Sequence, residues 1–188
     1  MRSGLIYCLL FTVMIPVSCK ENKPPAAGSG LTVTDAHDSA NRNYADIKYL
    51  AKVYSSVVTE NTLNRIAIRR SEDPKIMNLA TGLLASYDSL GKKIEMIASG
   101  KNIQLDPKLR FDQKNHISYL ENEAQAVFDR EYLNVLIREH KKFLEDFQLT
   151  GTNSRDSAVS AMAAEVLKAV SANYARIMIV QAEMRRTN

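Results

Sequence analysis

Between Asp73 and Gly100 the sequence places Ile76, Leu79, Ala80, Leu83, Tyr87, Leu90, Ile94 and Ile97 in the three-four spacing of a helix. That spacing puts all eight on one face of an α-helix, whereas a strand would split them four and four between its faces. The ends are marked as well. Asp73 is suited to accept hydrogen bonds from the exposed N–H groups of a first turn, Pro74 fits the first helical position, and Gly100 supplies a stop. A helix of this length spans about 40 Å and has to bury its apolar stripe against other helices.

Three further segments carry the same period. Ile47, Leu50, Tyr54, Val57, Leu63 and Ile66 form a slowly drifting stripe over about 44–70. Leu133, Leu136, Ile137, His140, Leu144 and Phe147 share a face after Asp129, an expected N-cap, and before Gly151, an expected end. Val159, Met162, Val166, Val170, Asn173, Ile177, Val180 and Met184 follow over about 154–185. A shorter helix is expected over 111–125, after the Asp106-Pro107 connector. No convincing strand is present. The expected fold is therefore all-α: an antiparallel four-helix bundle with an extra short helix in the connection between its second and third long helices.

The N-terminal region predicts an address. Arg2 precedes an uncharged apolar run from Leu5 to Val17, too short for the ~20 apolar residues of a membrane span and suited to a secretory signal. Ser18-Cys19 then resembles the bacterial lipobox, in which the cysteine is lipidated and becomes the new N-terminus, although Pro16 stands where Leu or Val is usual. An ordinary secretory signal cut near Ser18 is the competing reading. Removing the signal would discard Cys8 and leave Cys19 as the sole thiol, which lipid attachment would explain. In the resemblance to Gram-negative lipoproteins, an Asp after the cysteine retains a protein at the inner membrane. Lys20 occupies that position, so the outer membrane is expected, facing the periplasm or the cell surface.

The expected organisation is a signal peptide at 1–18, a lipidated cysteine and flexible tether at 19–43, and a helical domain at 44–188. Pro24, Pro25, Gly28 and Gly30 mark the tether, whose span as a flexible chain would be roughly 25–30 Å. The 188-residue chain has a net charge of +4, and its basic clusters are short and mixed with acids. This argues against a nucleic-acid partner. The expected partners are the membrane, through the lipid, and an unidentified envelope component.

Glu60, Tyr87, His140 and Asn173 interrupt or border the four stripes near mid-helix. Aligned in a bundle they would form one buried polar layer, and buried polar groups need partners. One reading is a hydrogen-bonded cluster that fixes helix register; the other is a ligand or metal site. Spacing weighs against metal. The chain has no Glu-x-x-His, and the adjacent Glu139 and His140 diverge by about 100° around a helix. Asp112 and His116 have an i, i+4 spacing that fits either paired ligands or a surface charge pairing. There is no cysteine pair for zinc, no Gly-x-Ser-x-Gly elbow and no phosphate loop. No cofactor, metal or catalytic residue is expected.

Phe128-Asp129-Arg130-Glu131-Tyr132-Leu133, followed by Arg138-Glu139-His140, resembles the Phe-Asp-x-x-Tyr then His pattern of a widespread bacterial domain-of-unknown-function family. Glu60 with Leu63 and Ala67, and Asp73-Pro74-Lys75-Ile76, add to the likeness, which covers roughly 46–184. The resemblance implies an exported protein with a ferritin-like bundle, of a kind often labelled outer membrane protein. Two recurrent histidines of that family are replaced here, by Tyr87 after Ser86 and by Asn173 in the segment from Leu167. If those histidines bind metal in other members, the resemblance implies that this chain has lost the site.

Overall fold

The computed structural model describes residues 33–147 and 154–187; the signal peptide, Cys19 and Gly151 lie outside them. Five α-helices follow one another: α1 (Val33–Arg70), α2 (Pro74–Gly100), α3 (Phe111–Asn122), α4 (Phe128–Phe147) and α5 (Ser157–Thr187). A 3-10 turn at Gln125–Val127 leads into α4, and no strand occurs among the described residues. The fold is all-α, a ferritin-like four-helix bundle with a short extra helix, as the periodicity and the resemblance predict.

Cross-helix pairs give the arrangement. Tyr49 meets Phe147, Lys52 meets Asp146 and Tyr132 bonds Asn64, so α1 and α4 run antiparallel. Tyr54 reaches Glu95 and Asn61 reaches Asp88, which makes α1 antiparallel to α2. Lys75 pairs with Glu183, Asn173 with Ser86 and Lys93 with Glu165, so α2 and α5 are antiparallel too. Around the bundle the order is α1, α2, α5, α4. The diagonal pair α2 and α4 therefore points the same way, and the chain between them must return along the bundle's length. Residues 101–127, with α3 packed against α1 and α4, make that return. One long crossover between the second and third helices is characteristic of ferritin-like bundles.

The caps show how sequence sets the ends. Asp73 Oδ1 accepts from Lys75 N at 2.7 Å, as expected. Gly100 does not terminate α2; it is its last helical residue, and Asn102 takes the left-handed conformation at φ 55°. Asn102 N and Ile103 N then reach back to Ser99 O and Ala98 O at 3.0 and 2.8 Å, closing the open carbonyls. Asp129 is not the N-cap of α4, because the 3-10 turn starts the helix at Phe128 and places Asp129 in the first turn. Asp156 caps α5 instead, accepting from Ala158 N and Val159 N at 3.0 and 3.1 Å. Helix α1 begins at Val33, so 33–43, expected as tether, continue the first helix.

The core follows the stripes. Leu50, Val57, Leu63 and Ile66 of α1, Ile76, Leu83 and Ile94 of α2, Leu133 and Leu136 of α4, and Val159, Val166 and Ile177 of α5 are buried. Phe128, Tyr132 and Phe143 join them from positions outside the expected α4 stripe. The connection is pinned by Arg70. Its guanidinium donates to Leu120 O and Glu123 O, each at 2.5 Å, at the otherwise open end of α3, and it lies 4.6 Å from the Phe128 ring centroid.

Candidate functional site

All four residues of the candidate layer are buried: Glu60 is 2 %, Tyr87 0 %, His140 0 % and Asn173 3 % exposed. They come from α1, α2, α4 and α5 respectively, each from the inner stripe of its helix. The closest bond is between Tyr87 Oη and His140 Nε2, at 2.7 Å. His140 Nδ1 lies 2.9 Å from Leu136 O, one turn back in α4. A carbonyl can only accept, so Nδ1 carries the ring proton and Nε2 accepts from the Tyr87 hydroxyl. Asn173 donates to Ser86 Oγ at 3.0 Å, next to Tyr87 in the chain. The Tyr174 ring stacks on the imidazole at 6.3 Å.

Glu60 Oε1 is 3.2 Å from His140 Nδ1, yet the proton on that nitrogen is directed at Leu136 O. Neither carboxyl oxygen of Glu60 has a hydrogen-bond partner. Burial and the nearby charge of Glu139 push Glu60 well above the usual carboxylate range. Burial holds His140 down at about 4, against an opposing contribution from the Leu136 carbonyl. It also pushes Tyr87 well up, with Glu60 adding to the effect. At neutral pH the His140 ring is uncharged, so the contact between Glu60 and His140 is not an ion pair.

Two neighbours of this layer escape a reading of the stripes. Tyr132 Oη donates to Asn64 Oδ1 at 2.6 Å, and Asn64 Nδ2 donates to Glu60 O at 2.7 Å. The signal was available, since Asn64 follows Glu60 by one turn and Tyr132 precedes Leu136 by one. Glu139, only 4 % exposed, faces α3 rather than solvent. His116 Nδ1 lies 2.5 Å from its Oε1 and Arg110 Nη2 lies 3.7 Å from its Oε2.

Asp112 and His116 do not converge on a common point. Asp112 pairs with Arg110 at 3.1 Å and Lys142 at 3.0 Å, while His116 turns to Glu139. Partial burial works to raise Asp112, but hydrogen bonds and charge from Lys142 and Arg110 hold it down at about 2. Among the described residues no three His, Cys, Asp or Glu side chains are grouped to hold a metal ion. Both ring nitrogens of His140 already bond protein atoms. These residues do not fit the metal centre that a ferritin-like bundle can carry.

The fold and this layer define a helical bundle of ferritin-like type with a hydrogen-bonded polar core. The chain belongs to the family described as Domain of unknown function (DUF4142), whose model matches residues 31–179. Its fold is similar to that in the crystal structure of a DUF305 fragment from Deinococcus radiodurans, with a TM-score of 0.67 at 12 % identity. That likeness covers 74 % of this chain and 96 % of the fragment. Curated proteins give no match.

Proposed function

We propose that this chain is a lipid-anchored protein of the bacterial cell envelope, held at the outer membrane through Cys19, whose helical bundle serves a noncatalytic structural or partner-binding role. The single observation that carries the noncatalytic part is the state of His140. This fully buried imidazole is neutral, and it spends its donor on Leu136 O and its acceptor on the Tyr87 hydroxyl. A general base or a metal ligand needs a free lone pair. The address rests on the sequence: Arg2, the apolar run Leu5 to Val17, and Ser18-Cys19-Lys20. No described helix is long and apolar enough to cross a membrane, so membrane attachment in this reading depends on the lipid.

Fractionation tests the anchor. Cys19→Ser should release the protein from the membrane fraction, and equal retention of the variant overturns lipid anchoring. A ferritin-like metal or small-ligand binder is the alternative, and it draws on Glu60, whose buried carboxyl oxygens have no hydrogen-bond partner. Metal analysis of the purified protein separates the two. Stoichiometric iron, zinc or manganese that is lost in His140→Ala would establish the alternative and remove the structural reading.

A further inference from the structure

A cavity of about 600 Å³ opens between the start of α4 and the end of α5, and none of the four residues of the polar layer lines it. Arg130 and Asn134 of α4 and Gln181 and Arg185 of α5 supply its polar wall, and Leu133 and Met184 its apolar part. We propose that this cavity binds a small organic anion, a carboxylate or phosphate ester with a compact apolar body. Its volume is in the range of small-molecule sites, and it combines apolar surface with a few polar groups from more than one element, as such sites do.

The lining fixes the sign of the charge. It includes two arginines, Arg130 and Arg185, and one acid, Asp129. Asp129 is the single counter-charge in the lining, and its Oδ1 is buried away from solvent without a hydrogen-bond partner. Arg185 has no ion-pair partner among the described residues. Arg130 is held by Glu131 Oε1 through Nε at 3.0 Å, which orients the guanidinium and leaves its terminal nitrogens to donate. Planar guanidinium groups match carboxylate and phosphate oxygens in pairs. The amides of Asn134 and Gln181 add donors and acceptors for the remainder of the ligand, while Leu133 and Met184 select for an apolar body over a bare inorganic anion. Without a ligand, Arg185 would merely complement the carbonyl end of α5, and this simpler role predicts no saturable binding.

Titration of the isotope-labelled protein with phenyl phosphate and with inorganic phosphate, followed by NMR, distinguishes the two. Expected are saturable shifts confined to amides around 129–134 and 181–185, with phenyl phosphate the tighter probe. Arg130→Gln and Arg185→Gln should each weaken it about tenfold, as for loss of one charge-assisted hydrogen bond. Both side chains are exposed, so an unchanged melting temperature will show that each variant is folded. Linear, unsaturable shifts overturn the proposal, as do variants that bind like the parent. Binding to phosphatidylglycerol vesicles without any response to phenyl phosphate overturns it too, because it would assign the arginines to a surface charge effect.

Discussion

Glu60 and Glu139 sit on adjacent helices, are almost equally sealed from water, and are handled by the fold in opposite ways. Glu139 has partners that carry positive charge or can acquire it: His116 from α3 and Arg110 just before it. Glu60 faces the bundle centre, where Tyr87, Tyr132 and a neutral His140 surround it and no cation reaches it. A buried carboxyl with a cation beside it can remain ionised, and one without loses its charge instead. The crossover decides the difference. By bringing α3 across α1 and α4 it supplies Arg110 and His116 to one side of the bundle only. The inner region is thus a hydrogen-bonded layer without a cation and the outer one an ionic seam.

Removing His140 tests the inner region most severely. His140→Ala leaves a void and strands the Tyr87 hydroxyl, so a loss of about 2–4 kcal/mol is expected in urea unfolding at pH 7. An unchanged midpoint would show that the layer contributes nothing to stability and would remove the structural reading.

Protonation of His140 should by itself be nearly as damaging. His140 is held at about 4 in the fold against an ordinary value of 6.5. Its folded value is depressed, so its contribution is complete above pH 6.5 and is lost as pH falls toward 4, by about 3 kcal/mol in all. Glu60 acts in the other direction. Its folded value is raised, so its contribution is complete below about 4.5 and fades as pH rises. Stability should peak in mildly acidic solution, and Glu60→Gln should gain on the parent protein steadily as pH rises above 4.5. Parallel stability curves for the two proteins from pH 5 to 8 would show that the Glu60 carboxyl is not raised in the fold.

Much of this inner region was legible in the sequence, because helical period alone brings Glu60, Tyr87, His140 and Asn173 to the inner face of four helices. The bond between Tyr87 and His140 needs only that α2 and α4 face each other at mid-length. The outer seam was not legible. Glu139 looks like a surface residue when α4 is read by itself, since it sits about 100° from His140. Only the path of residues 101–127 over that face buries it. Ends were read less well than faces. Asn102 could replace Gly100 as the left-handed residue because asparagine tolerates that conformation, and Asp129 lost the cap because a 3-10 turn intervened.

Tyr132→Phe probes the link between layer and backbone. It leaves Asn64 Oδ1 without its donor in a dry environment, and a loss of about 1–2 kcal/mol is expected, measured by thermal unfolding. If the variant melts with the parent, water or a side-chain rotation must replace the bond, and Asn64 is less confined than its full burial implies.

The smallest effect should come from the seam's outer edge. Asp112 is held down at about 2 by Lys142 and Arg110, yet its side chain is 35 % exposed and that of Lys142 46 %. Solvent screens such a pair and both chains lose freedom in making it, so the shift converts poorly into stability. Asp112→Asn should cost less than about 1 kcal/mol at low salt, and the difference should disappear near 1 M salt, where the screening length falls to about 3 Å. The layer around His140 contains no exposed charge, so the cost of His140→Ala should be insensitive to the same salt. A salt-resistant loss in Asp112→Asn would place Asp112 with Glu139 inside the seam. It would also mean that α3 is held by buried charge along its first turn rather than at Glu139 and Arg70 alone.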